Sequence, residues 1–489
     1  MDTYVVHLHS PWLRKAPKPS GCQECRTAKC QVSVPEGPVT ATASQRSPSG
    51  HTGRAGRSRS AVSICVIPRD GTKRPRGTRG GATVSTLSVS SGHDRRTESR
   101  AEGRTEDQAE SRAVRLEPVT ADTYRAFLAS RAGARLGAGF LQCPSWATVK
   151  EGWQARLYGW GRQPRTGDLD GVALVLLRQF PGTRKYFAYL PEGPVVDWSA
   201  PLDGWLDALL DRLRDEGAFA VRIGPSLTYR RWDAARLKSS AGPGVRLGDV
   251  LATEVDPLGT AVAEQLRDRG WRRCGEDAAA DAQPRHVFRV PLAGLGTDDM
   301  WSGLHQAWRR NVRRAHKEGV EVTVGGAADL PEFFRLLRIT EERDGFRLGR
   351  SLAYYQRQYA ALNAEAPGRM RLYLARLHGE VLAAHTMITV GNRVWYQTGA
   401  SADHRREVRP SNALQWRMML DAHALGADVY DMRGVPATLD PGERGYGLLR
   451  WKLGTGGEVA ETLGEWERPL AGMTNQTLYR AFQTYLGRR

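Results

Sequence analysis

A mixed α/β fold of two successive units follows from three features of this 489-residue sequence. Residues 1–113 are rich in Ser, Gly, Pro, Thr and Arg and lack a sustained apolar period. From Val114 onward, short apolar runs alternate with segments carrying a helical apolar face. That alternation then runs a second time in the same order. A segment without an apolar period cannot bury enough surface to offset its ordering entropy, so 1–113 is expected to be a disordered basic tail. The abrupt onset of pattern at Val114 also fits a translation start near that residue. Peptides from residues 20–110 in the native protein would exclude such a start.

The elements follow in order. Thr120 to Ala132 reads as a helix. Gly171-Val-Ala-Leu-Val-Leu-Leu177 and Lys185-Tyr-Phe-Ala-Tyr-Leu190 read as buried strands, because they are continuous apolar runs of strand length. Leu202 to Arg214 is apolar at 202, 205, 206, 209, 210 and 213, one face of a helix. Ala218-Phe-Ala-Val-Arg-Ile223 returns as a strand. In the second cycle Pro331 to Glu342 and Ser351 to Leu362 are helices, and Met370 to Leu377 is a strand. Val381 to Val390 and Arg393 to Gln397 form a hairpin around Gly391-Asn392. Asn412 to Leu425 is a helix capped by Gly426. Asp428 to Met432 is a strand, and Leu448 to Leu453 a short helix.

The formal charge is +18. The tail holds 19 Lys+Arg against 10 Asp+Glu, so half of the surplus belongs to the patterned part. A basic surface favours RNA or an anionic membrane face. Four of six cysteines (Cys22, Cys25, Cys30, Cys65) lie in the tail, which leaves Cys143 and Cys274 and no disulfide framework. That usage fits a reducing cytoplasm. Cys22-x2-Cys25-x4-Cys30 lacks a fourth ligand at knuckle spacing, with His51 or Cys65 as the alternatives, and no metal-spaced cluster occurs in the patterned part, so no metal is expected. No run approaches the ~20 apolar residues of a membrane span.

Two stretches carry chemistry. Tyr446-Gly-Leu-Leu-Arg-Trp-Lys-Leu-Gly-Thr-Gly-Gly457 sets Trp451 and Lys452 just ahead of a glycine-rich turn. A fixed cation there suits a developing oxyanion or a nucleic-acid phosphate. Trp308-Arg-Arg-Asn-Val-Arg-Arg-Ala-His-Lys317 is a cationic helix with Arg310, Arg313, Arg314 and Lys317 in one stripe, either a solvated face or an RNA contact. His385, on a strand pattern, reads as a core histidine rather than a general base. Asp197 follows a Gly-Pro-Val-Val loop, as an acceptor contact or a plain turn aspartate.

With Phe140-Leu-Gln-Cys-Pro-Ser-Trp146, Lys150-Glu-Gly-Trp153, Tyr189-Leu-Pro-Glu-Gly-Pro-Val-Val-Asp197, Glu342-Arg-Asp-Gly-Phe346, Arg350, Tyr354, Val394-Trp-Tyr396 and Gly399-Ala-Ser401, these stretches resemble, in order, the Fem family. Fem proteins are aminoacyl-tRNA-dependent aminoacyltransferases that act on peptidoglycan precursors. The likeness covers residues 114–489 and is to the FemX type, since no long helical arm interrupts 285–460. It implies two tandem GNAT-like domains, 114–284 plus 464–489 and 285–463, with the C-terminal helix returning to the first. It further implies transfer of an amino acid, glycine by family habit, from tRNA to the stem-peptide amine of a UDP-MurNAc-peptide or lipid-linked muropeptide. The enzyme implied is cytoplasmic, peripheral at the inner face of the plasma membrane, monomeric and cofactor-free.

The ester of an aminoacyl-tRNA is already activated, so the enzyme must supply proximity and oxyanion stabilisation. The resemblance implies that Lys452 either neutralises the oxyanion or holds the terminal ribose-phosphate of the tRNA, with Trp451 stacked on the terminal adenine. It assigns the anionic precursor to Lys150, Arg350 and Tyr354, with Asp197 beside the peptide. Relatives often carry tyrosine at Thr398, so a phenol contact to the acceptor is expected to be missing. The runners-up are a CoA-dependent N-acyltransferase and a non-catalytic RNA-binding protein. Arg156-Leu-Tyr-Gly-Trp-Gly161 matches a CoA pyrophosphate loop in letters, but no helix pattern follows it.

Overall fold

The computed structural model describes residues 115–275 and 282–487. The expected tail, with its cysteines, lies outside the described residues. Two sheets organise the rest. The first runs in the order β1 (Arg115–Pro118), β2 (Gln154–Gly161), β3 (Gly171–Gln179), β4 (Tyr186–Leu190), β5 (Ala218–Ile223), β16 (Trp466–Pro469) and β8 (Arg272–Arg273). The second runs β10 (Glu321–Gly325), β11 (Met370–Leu377), β12 (Glu380–Val390), β13 (Arg393–Ser401), β14 (Val429–Gly434), β9 (His286–Pro291), β15 (Glu458–Thr462), β6 (Thr228–Asp233) and β7 (Glu254–Val255).

Each sheet repeats one plan. Four antiparallel strands are followed by a helix that crosses over to a fifth, parallel strand. In the first sheet the helix is Leu202–Asp215 and the parallel pair is β4–β5. In the second the helix is Pro410–Ala424 and the pair is β13–β14. A parallel neighbour needs such a crossover, and these helices supply it. β13 and β14 pair only over Arg393–Trp395 and Val429–Asp431, so beyond those residues the two strands part.

The boundary expected at 284/285 follows the chain, but the sheets do not divide there. β6 and β7, from the expected first domain, extend the second sheet, and β15 and β16 send neighbouring segments into different sheets. The expected helix from Thr120 to Ala132 is two helices, Ala121–Ala129 and Arg131–Leu136. Ser130 breaks it. Its extended backbone caps the first helix at Phe127 O, and its hydroxyl accepts from Gly133 N to start the second. β13 runs to Ser401, past the end expected at Gln397.

The core has three parts. One lies under helix Leu202–Asp215, whose six predicted apolar positions are all buried. Another fills the second sheet, with Trp308, Val312 and Ala315 of helix Gln306–Lys317 packed into it. The third joins the halves. Phe140 stands edge-on to Trp146 at 5.4 Å and to Trp395 at 5.3 Å, and Leu362 and Ile388 enter the same cluster. Helix Met473–Gly487 returns to the first sheet, where Phe482 meets Phe187 at 4.5 Å and Phe219 at 5.8 Å.

Candidate active site

A cationic cluster forms where helix Trp146–Val149 meets the helix Leu352–Glu365. Lys150 follows the first helix, and Arg350 precedes the second, whose start is capped by the Ser351 hydroxyl accepting from Tyr354 N at 3.2 Å. The Arg350 guanidinium lies over the Tyr354 ring, 5.0 Å from its centre. Its Nη1 is buried and lacks a hydrogen bond of good geometry, with the Tyr355 hydroxyl close enough to act on the guanidinium. Arg178 comes from β3 and stacks on Trp153 at 5.6 Å. Burial lowers the Lys150 ammonium to about 8, with Arg350 and Arg178 adding repulsion and Glu465 opposing it. Three crowded cations and a guanidinium N–H with no well-formed hydrogen bond make a site suited to an anion with several acceptor oxygens.

Near these cations, whose charges act on Arg433 and Glu465 of its wall, a cavity of about 40 Å³ opens between the sheets. Glu192, Gln283, Arg289, Arg393, Asp431 and Arg433 are among its lining residues. Arg433 bridges it. Its Nη1 donates to Glu192 Oε1 at 2.6 Å and its Nη2 to Gln283 Oε1 at 2.9 Å. Arg433 and Glu192 both adopt left-handed backbone conformations, φ 61° and 52°, which non-glycine residues rarely hold without support. The Asp431 carboxylate supplies part of that support by accepting from Arg433 N at 2.7 Å. Glu465, also on the wall, accepts from the Tyr189 hydroxyl and from Arg222.

Lys452 stands behind this wall and does not line the cavity. It is 3 % exposed, on helix Tyr446–Leu453. Its Nζ donates to Met432 O at 2.6 Å, Gly434 O at 2.8 Å and Arg433 O at 3.4 Å. Burial lowers its pKa to about 7, partly offset by Asp431. All three ammonium hydrogens are thus directed at β14 carbonyls, and in this geometry none is turned to the cavity where an oxyanion contact was expected. Trp451 is half-buried. Its carbonyl accepts from Trp308 Nε1 at 2.8 Å, and the two rings lie 5.0 Å apart. Gly454 makes this approach possible, since a Cβ there would run into the Trp308 ring.

The remaining candidates separate. Thr398 is fully buried, and its hydroxyl donates to Gln397 Oε1 at 3.1 Å. Tyr355 lies between it and Arg350, so Thr398 sits behind the cationic cluster. Asp197 makes a surface turn. Its Oδ1 accepts from Ser199 N at 3.0 Å and Ser199 Oγ at 2.5 Å, and these bonds lower its pKa. Arg310, Arg313, Arg314 and Lys317 lie on the exposed side of their helix. Arg313 covers Trp301 at 5.3 Å, and Arg314 pairs with Glu318 at 3.7 Å. His385 is fully buried and held near pKa 3 by that burial, with Gln415 Nε2 3.0 Å from its Nδ1. Arg156–Gly161 lies within β2 and opens no helix.

Sequence reasoning missed Arg178, Glu192, Gln283 and Arg433. Glu192 stood inside the quoted Tyr189–Asp197 motif, and its place before a Gly-Pro pair was an available signal. Arg433 and Gln283 had no local signal, because only the packing of the two halves brings them together.

Residues 119–379 and 374–485 match the FemAB family. The lipid II:glycine glycyltransferases of Staphylococcus aureus strains MRSA252 and USA300 are each 25 % identical to this chain over 436 residues, 75 % of this chain and 94 % of theirs. The crystal structure of FemX superposes with a TM-score of 0.60 at 23 % identity, over 75 % of this chain and 99 % of FemX. That likeness establishes the fold, and the family match covers most of the sequence. The chain belongs to the FemAB family.

Proposed function

We propose that this protein transfers an amino acid, glycine as for the named relatives, from aminoacyl-tRNA to the stem-peptide amine of a lipid-linked peptidoglycan precursor. The cationic cluster carries this reading. Lys150, Arg178 and Arg350 are close enough to repel one another, a cluster of cations that an anionic diphosphate would neutralise, with Tyr354 beside them. The acceptor peptide then extends toward the cavity walled by Glu192, Asp431 and Arg433. The exposed stripe of Arg310, Arg313, Arg314 and Lys317 takes the RNA backbone, and the edge of Trp451 receives the terminal base.

The amine attacks the ester carbonyl, the carbonyl oxygen takes the charge, and the ribose oxygen leaves with the proton that the amine gives up. No covalent enzyme intermediate is needed. No helix among the described residues is long and apolar enough to cross a membrane. The test is labelled glycyl-tRNA with a lipid-linked muropeptide and purified protein. RNase-sensitive transfer supports the reading. Transfer from acetyl-CoA instead, or RNA binding without transfer, overturns it.

A further inference from the structure

We propose that Lys452 is a positioning residue that acts through Arg433, fixing the latch by which β14 grips Glu192 across the cavity. The inference rests on the transfer reaction proposed above, but its structural half can be tested without it. Three carbonyls in succession, those of Met432, Arg433 and Gly434, converge on one ammonium. Successive carbonyls of an extended strand point to opposite sides, so their convergence requires a kink. The kink is the left-handed Arg433.

The kink has a consequence on the cavity side. It turns the Arg433 guanidinium onto Glu192 and Gln283, which come from the loop after β4 and the segment before β9. Both Arg433 and Glu192 are nearly buried, with side chains 12 % and 13 % exposed. The ammonium on one side and the Asp431 carboxylate on the other therefore hold a strained backbone whose side chain links two parts of the site. β14 parts from β13 beyond Asp431, so no neighbouring β13 residue shares the load there.

Two measurements test this. Hydrogen exchange on Lys452→Met should speed up at residues 431–435 and also at 190–193. Faster exchange confined to 446–457 would show that Lys452 supports only its own helix, and would overturn the proposal. Kinetics supply the second measurement, as a double-mutant cycle. Lys452→Met and Arg433→Ala should each lower kcat by about 10²-fold, the scale of one lost preorganising contact. The double variant should also fall by about 10²-fold, since both changes release the same latch. A fall near 10⁴-fold would mean that Lys452 acts on the reacting atoms independently. The KM for the precursor should stay within about threefold for Lys452→Met, because Lys150, Arg178 and Arg350 are untouched, and should change alike in Arg433→Ala and the double variant, which both lose a side chain of the cavity wall. If Lys452→Met does not fold, Lys452→Arg carries the same cycle. Its planar guanidinium retains the charge but cannot donate to three carbonyls at one nitrogen. A wild-type protein without transfer activity would defeat the proposed function, while exchange would still decide whether the latch exists.

Discussion

Arg350 is a half-buried cation and Lys452 a fully buried one near the same cavity, and they are opposites. Arg350 keeps a buried N–H with no well-formed hydrogen bond, while Lys452 has an acceptor for every hydrogen. An unsatisfied buried donor is costly to keep, so a fold tolerates one where a ligand completes it. A saturated ammonium has already spent its capacity on the protein. The difference separates a group that waits for substrate from one that shapes the wall.

The sharpest way to break this comparison is Arg350→Ala. If Arg350 grips the precursor, KM for the precursor should rise about 10²-fold, within the ~2–5 kcal/mol associated with losing one partner of a buried charged contact. The fall in kcat should be smaller. Steady-state kinetics over a precursor titration decides it. A kcat loss at constant KM would place Arg350 with the wall instead.

Lys452 gives the complementary test in stability. Its folded pKa is about 7, against 10.5 for an exposed lysine. Between those values the unfolded chain binds the proton more strongly than the folded one, so stability rises with pH across this window and is flat below it. The gain approaches about 1.4 kcal/mol per pH unit at most. Thermal unfolding of the wild type and Lys452→Met from pH 6 to 9.5 should show wild-type stability gaining on the variant as pH rises. A constant difference would contradict the burial.

Much of this fold was legible in the sequence, because the segments that were read correctly are those whose burial is one-sided or complete. Leu202–Asp215 shows its apolar stripe, and Gly171–Gln179 its continuous run. The short strands β6, β7 and β8 carry mostly Arg, Thr, Tyr and Glu, so they have no apolar alternation to read. Their pairing is dictated by neighbours far away in sequence. The site divides in the same way. Lys150, Arg350 and Tyr354 fell within recognisable motifs and do come together. Lys452 was legible as a residue of consequence, but not its direction, because the carbonyls it binds belong to a kink eighteen to twenty residues upstream.

Lys150 sharpens the picture of the cationic cluster on a smaller scale. Its pKa is lowered to about 8 by burial and by Arg350 and Arg178, and the charged form is the one that holds an anion. Precursor KM should therefore be flat below pH 8 and rise several-fold by pH 9 as the ammonium is lost. Lys150→Arg should remove that rise, since guanidinium does not titrate in this range. A wild-type profile that stays flat to pH 9 would mean that the cluster binds its ligand without Lys150.

The stripe on helix Gln306–Lys317 offers the smallest effect and the clearest contrast with the cluster. Its cations are exposed, so each contributes weakly to stability and is screened by salt. If they touch RNA phosphates, they act by releasing counterions, and this has a signature that buried contacts lack. The slope of log affinity for aminoacyl-tRNA against log salt should become shallower by about one for each contact removed. Arg310→Ala and Arg313→Ala together should reduce it by about two, while precursor KM stays constant. Arg314 is the internal control, because Glu318 already neutralises part of its charge and its removal should change the slope less. Equal slopes in all variants would return the stripe to an ordinary solvated helix face, and RNA would have to be held elsewhere on the chain.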